Sequence, residues 1–226
     1  MKRNSSMNIP SNRIMFGDDI DRTSRILDEI LHGFSQMSHF KHAVSIFGAS
    51  RMQPSSIYYK KATDVAHRLG NEGISIITGG GPGAMEAANK GAQLAKTQSC
   101  GLTILLPFED GANPYVDENH CITFNYFFIR KLMFVKYSSA FIVMPGGIGT
   151  LDELFEAWTL MQTNRSKLFP IILVGREYWQ GLVKWLKDYA VTQGFMSAED
   201  MTMIHISDDI DEITGIVMNS ITSHDS

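Results

Sequence analysis

The sequence predicts an α/β fold with a central, mainly parallel sheet and helices on both faces. Short β-rich apolar runs alternate with helical patterns along most of the chain. The runs are apolar without interruption, as strands are when both sides of a sheet are covered, whereas a half-solvated strand alternates apolar with polar residues. Turns that begin at or contain glycine follow three of these runs, and two of those turns are glycine-rich. Together these features describe a Rossmann-like three-layer arrangement, in which ligands bind beyond the carboxyl ends of the strands, near a reversal of strand order.

At the amino end, MKRNSSMNIPSNR carries basic residues with no apolar core behind them, so no secretory signal is expected and positions 1–17 read as a flexible leader. From Asp18 to Phe40, Ile20, Ile26, Leu27, Ile30, Leu31, Phe34 and Met37 recur at helical spacing, with acidic residues in the first turn where the helix dipole favours them. This amphipathic helix is expected to pack on its own domain; seating a partner helix is the other use of such a stripe. Clear strands follow at Val44 to Phe47, Ile74 to Thr78, Leu102 to Leu106, Phe141 to Met144 and Ile171 to Val174, with weaker ones at Cys121 to Phe124 and Met203 to Ile206. No repeat or linker divides positions 18–226, which are expected to form one domain.

The 226 residues are 44% hydrophobic, enough to bury a substantial core, and their net charge of −4 lacks the basic excess that a nucleic-acid backbone demands. Nucleic acid is therefore not expected as a partner. No apolar run approaches the roughly 20 residues that span a bilayer, so no membrane association is expected. Cys100 and Cys121, the two cysteines, lack disulfide or metal spacing, and the seven histidines do not cluster with acids. The expected compartment is the cytoplasm, with no metal and no cofactor.

Gly48-Ala49-Ser50-Arg51 follows the first strand, Gly79-Gly80-Gly81-Pro82-Gly83 the second, and Pro145-Gly146-Gly147-Ile148-Gly149-Thr150 the strand ending at Met144. Glycines between a strand and a helix let backbone N–H groups approach an anion, and the helix start adds unpaired donors. One such loop is as readily a tight turn; two at equivalent strand ends favour a phosphate site. Neither ends in the GK[ST] of a Walker A motif, and neither completes the dinucleotide fingerprint, so ATP hydrolysis and hydride transfer are disfavoured.

Glu153 has two readings. Thr150-Leu151-Asp152-Glu153 fits a capping box, and equally places a carboxylate beside any phosphate on the loop. Leu151, Leu154, Phe155 and Trp158 are expected to form the buried face of this helix. A carboxylate so close to an anion needs a cation, and Arg130, in Tyr126-Phe127-Phe128-Ile129-Arg130-Lys131, is the candidate; its bland reading is a surface arginine at a helix start. Glu86 either faces the ligand or is solvated on its helix.

The ordered motifs GGGPGAMEAANKGA (Gly79 to Ala92), FFIRK (Phe127 to Lys131) and PGGIGTLDE (Pro145 to Glu153) resemble the LOG family of nucleotide phosphoribohydrolases, also labelled "lysine decarboxylase", over roughly Ala43 to Phe195. The glycine-rich helix departs from plant-type cytokinin-activating members, which have a second glycine after the methionine, and looks more like bacterial relatives. The resemblance implies that Gly146, Gly147, Ile148, Gly149 and Thr150 bind the nucleotide phosphate, that Glu153 and Arg130 serve cleavage, and that Gly79, Gly80, Gly81, Gly83, Ser50, Met85, Glu86 and Lys131 complete the nucleotide site. It implies hydrolysis of a purine nucleoside 5'-monophosphate, AMP or an N6-modified AMP, to base and ribose 5-phosphate, by a homodimer. A decarboxylase would need a Schiff-base lysine for pyridoxal phosphate, and neither Lys90 nor Lys131 has a context that singles it out. Two rivals share the fold: a carrier that holds a phosphorylated cofactor without cleaving it, as molybdenum-cofactor carriers do, and a nucleotide sensor that signals through the Asp18 to Phe40 helix. Base selectivity is expected to rest on loop side chains between Phe108 and His120.

Overall fold

The structure, a computed structural model, describes residues 19–105, 111–163, 165 and 169–225. The leader expected at 1–17, Leu106 at the end of a predicted strand, and Phe108 to Asp110 of the expected selectivity loop lie outside the described residues. Seven strands form one sheet: β1 (Ala43–Phe47), β2 (Ser75–Thr78), β3 (Ser99–Ile104), β4 (Cys121–Phe124), β5 (Ala140–Val143), β6 (Ile171–Leu173) and β7 (Ile204–Ile206). Their order is β4-β3-β2-β1-β5-β6-β7, and each neighbouring pair is parallel. The chain works outward from β1 to β4, then returns to the other side of β1 as β5. The order therefore reverses between β1 and β5, where two βα loops diverge and leave a crevice.

Helices α2 (Ile57–Asn71), α3 (Ala84–Ala95) and α7 (Ile210–Asp225) cover one face; α1 (Asp19–Met37), α4 (Phe127–Tyr137), α5 (Ile148–Gln162) and α6 (Arg176–Trp185) cover the other. Along β1, Val44 and Ile46 join the α2/α3/α7 core while Ala43 and Phe47 join the opposite one, all of them buried. That is the alternation of a strand between two apolar layers, and it explains why the sequence reads as continuous apolar runs. β3 begins at Ser99, earlier than its apolar residues suggest, because Ser99 accepts and donates enough hydrogen bonds to be fully buried.

Helix α1 packs on its own chain. Met37 is buried, Ile26, Ile30 and Phe34 lie against the core, and a Cβ on Gly33 would stand 2.6 Å from Met133 Cε of α4. Leu27 and Leu31, expected in the same stripe, are exposed. The Glu29 carboxylate accepts from the backbone N–H of Asn125 (2.9 Å) and Tyr126 (3.1 Å) and from Asn125 Nδ2 (2.9 Å). A carboxylate from α1 thus satisfies orphan donors at the start of α4, where a helix favours negative charge. No described helix is long and apolar enough to cross a membrane.

Candidate functional site

At the switch point lies a cleft of about 560 Å³, within the range of small-molecule sites. The β1 loop contributes Gly48, Ala49, Ser50 and Arg51, the β2 loop Gly79, and α5 with its cap Gly147 to Thr150, Asp152 and Glu153; Phe47, Met85, Ile104, Phe127, Arg130 and Phe134 complete the wall. Backbone hydrogen bonds bind the three loops together: Ala49 N–H donates to the Pro145 carbonyl (3.0 Å), and Ala84 N–H donates to the Ala49 carbonyl (3.1 Å).

The two glycine-rich helix starts are not equivalent. At α3 the N-cap is Gly83, whose φ of +71° suits glycine, and a Cβ there would strike the Ala49 carbonyl oxygen. The N–H of Ala84, in the first turn of α3, is already spent on Ala49. At α5 the N-cap is Gly147, Ile148 is 87% exposed, and nothing stands within 4 Å of a Cβ built on Gly147 or Gly149. First-turn N–H groups have no partner within their own helix, so α5 presents an open donor nest to the cleft. Tyr178 of α6 fixes that nest from behind, its hydroxyl donating to the Gly146 carbonyl at 2.7 Å.

Because α5 begins at Ile148, Thr150 lies inside the first turn and Glu153 a turn further on, so the capping box does not form. Glu153 is buried and faces Arg130, Oε1 to Nη2 at 3.4 Å, a charge pair at the outer limit of hydrogen bonding. The guanidinium lies over the rings of both Phe127 and Phe134, 5.4 and 5.6 Å from their centroids. Its buried Nε has no hydrogen-bond partner among the described residues. Arg130 is therefore no surface arginine, and it keeps unused donor capacity beside the cleft. Burial pushes the Glu153 carboxyl above its ordinary value, while the charges of Arg130 and Lys131 pull it part of the way back.

Of the other residues singled out by sequence, Ser50, Gly79, Met85, Gly147, Ile148, Gly149 and Thr150 line the cleft. Gly80, Gly81, Gly83 and Gly146 lie behind that lining, buried against neighbouring loops. Glu86 is not among the lining residues: Tyr59 of α2 donates to its Oε1 at 2.6 Å, so neither a ligand-facing nor a simply solvated carboxylate describes it. Lys131 turns away to pair with Asp152 (2.7 Å) and Glu156 (2.8 Å). Lys90 stands over the Tyr115 ring, 5.8 Å from its centroid. Phe155 is partly exposed and stacks on Trp158 instead of joining the buried face, which consists of Leu154, Ala157, Trp158 and Met161. Sequence reading passed over Arg51, although it adjoins Ser50 in a loop already marked, and over Tyr178, whose contact with Gly146 joins elements distant in the chain.

A doubly wound sheet with its cleft at the switch point is the architecture of Rossmann-like nucleotide-binding proteins. A family model described as "Possible lysine decarboxylase" matches residues 85–217. The cytokinin riboside 5'-monophosphate phosphoribohydrolase of Mycobacterium tuberculosis is 30% identical over 158 residues, covering 66% of this chain and 79% of that protein. The chain belongs to this family, the LOG family. The pyrimidine/purine nucleotide 5'-monophosphate nucleosidase of Escherichia coli K12 is 31% identical over 143 residues, 59% of this chain and 31% of that longer protein. The molybdenum cofactor carrier protein of Chlamydomonas reinhardtii, at TM-score 0.53 and 18% identity over 80% of this chain and 99% of that one, shares the fold. The relatives' names place the chain in a family of nucleotide hydrolases of glycosidase type.

Proposed function

We propose that the protein hydrolyses the N-glycosidic bond of a purine nucleoside 5'-monophosphate, AMP or an N6-modified AMP, releasing the base and ribose 5-phosphate. One observation carries the reading: an open helix start and a buried arginine–carboxylate pair share a single cleft. The 5'-phosphate sits on the first-turn N–H groups of α5, with Arg51 at the mouth as a second cation. As the C1'–N bond breaks, its electron pair leaves with the base and positive charge grows on the ribose. Ionised Glu153 stabilises that charge and orients the attacking water or the ribose hydroxyls, while Arg130 holds the carboxylate in register. Water's oxygen bonds to C1', and its proton offsets the one gained by the base. The exposed apolar residues Phe127, Phe128 and Leu132 of α4 and Phe155 of α5 form the face on which a second copy docks, giving a homodimer. The protein works in the cytoplasm, where its free cysteines stay reduced.

The test is to incubate purified protein with a panel of nucleoside monophosphates and follow free base by chromatography, beside Glu153→Gln and Arg130→Ala. Base release is expected from wild type, reduced at least 100-fold in Glu153→Gln, on the order of a lost transition-state contact. Release from no nucleotide sinks the proposal, and tight binding without release makes the protein a carrier. An unchanged rate in Glu153→Gln removes that residue from the mechanism.

A further inference from the structure

Beneath the β2 loop lies a set of buried polar side chains that the mechanism above does not use: Thr78, Asn89, Ser99 and Asn113. Asn113 is its centre. Its backbone N–H donates to the Gly80 carbonyl (2.7 Å), and its Nδ2 reaches the carbonyls of Gly80 (3.0 Å) and Gly81 (2.9 Å) and Asn89 Oδ1 (3.0 Å). Its Oδ1 accepts from Tyr115 N–H at 3.1 Å, which fixes the orientation of the amide. Thr78 Oγ1 accepts from Gly80 N–H (2.9 Å) and donates to Asn89 Oδ1 (2.6 Å). Asn89 Nδ2 in turn donates to Ser99 Oγ at 2.9 Å.

The direction of these bonds fixes how the loop meets the cleft. In a trans peptide the carbonyl and the following N–H point opposite ways. With Gly80 N–H drawn down to Thr78, the Gly79 carbonyl is turned away from the network, and Gly79 is the loop glycine that lines the cleft. A Cβ on Gly79 would lie 3.8 Å from Arg130 Nη1, so this peptide stands beside the guanidinium that pairs with Glu153. A carbonyl repels phosphate and accepts from a hydroxyl.

We propose that Asn113 is a positioning residue which, through the buried amide network, presents the Gly79 carbonyl as an acceptor for a sugar hydroxyl of the substrate. The triple-glycine loop thereby belongs to the sugar and leaves the phosphate to α5. The proposal rests on the hydrolase reading for its substrate, but the held loop is measurable without one.

Two variants and a control test it. Asn113→Ala and the isosteric Asn113→Asp are compared with Val217→Ala, which thins the core on α7 away from the cleft. At a temperature where all are folded, both Asn113 variants are expected to lose about 10- to 100-fold in kcat/KM on AMP, the scale of a small misplacement of reacting groups, with Val217→Ala unchanged. An aspartic acid donates only when protonated, so the activity of Asn113→Asp relative to wild type is expected to recover as pH falls into the carboxyl range. Deuterium exchange of Gly80 N–H, followed without substrate, is expected to quicken in Asn113→Ala and not in Val217→Ala. Wild-type activity in the Asn113 variants, or an equal loss in Val217→Ala, overturns the proposal. Wild-type protein that releases no base refutes the hydrolase reading instead, and unchanged Gly80 exchange then refutes the held loop on its own.

Discussion

Glu153 is a residue whose two properties pull against each other. Its carboxyl is raised by burial, so between the ordinary carboxylate range and its raised value the folded protein binds a proton more readily than the unfolded chain does. Stability from this group is present at lower pH and lost as pH rises through that window, while the proposed hydrolysis, which uses the ionised form, is expected to rise there. A pH–rate profile is expected to show an acid limb above ordinary carboxylate titration, shifted further up in Arg130→Ala, since Arg130 is the principal charge holding it down. Tyr178→Phe removes the hydroxyl behind the proposed phosphate nest and is expected to raise KM several-fold with little change in kcat, a split that steady-state kinetics reads directly. Much of this site was legible in the sequence, because glycine-rich turns and an RK pair are local patterns. The capping ambiguity at Glu153 was not, since it turns on whether Gly147 or Thr150 starts the helix, and glycine caps without a side-chain signal. The role of Glu86 was hidden because its partner, Tyr59, comes from another helix.

At the scale of elements, α4 carries Arg130 and is capped from outside by Glu29 of α1. Glu29→Ala is expected to cost about 1 to 2 kcal/mol in denaturant unfolding and to lower kcat, because the turn that delivers Arg130 loosens. The same bond means that deleting α1 is expected to loosen the start of α4 as well, so the deletion removes a structural contact along with any signalling surface. Helices α2 and α3 pack tightly enough that a Cβ on Gly91 would collide with the Thr63 carbonyl oxygen. Gly91→Ala is expected to destabilise by about 1 to 3 kcal/mol, seen as a lower Tm. Strand positions were readable because short β-rich apolar runs bounded by turn residues fit buried strands better than helices, which need greater length. Their ends were less so: the hydrogen bonds that bury Ser99 come from Asn89, Tyr115 and Asp117, which no local pattern announces.

For the whole molecule, the exposed apolar face on α4 and α5 yields a prediction about assembly: wild type is expected to sediment as a dimer and Phe128→Glu at half that mass, without loss of fold by circular dichroism. The sheet order has a consequence of another kind. The cleft is bounded by loops after β1 and β5, and Ser45 pairs with Phe141 across the sheet centre. During synthesis β1, β2, β3 and β4 emerge first and can assemble on their own side, yet the nest on α5 has nothing to face until β5 docks against a strand made long before. Distant parallel pairings of this sort are slow steps. The proposed nucleotide binding is therefore expected to return late on refolding, lagging the helical signal, and a stalled or truncated chain lacking α5 is expected to lack it however well its first half folds.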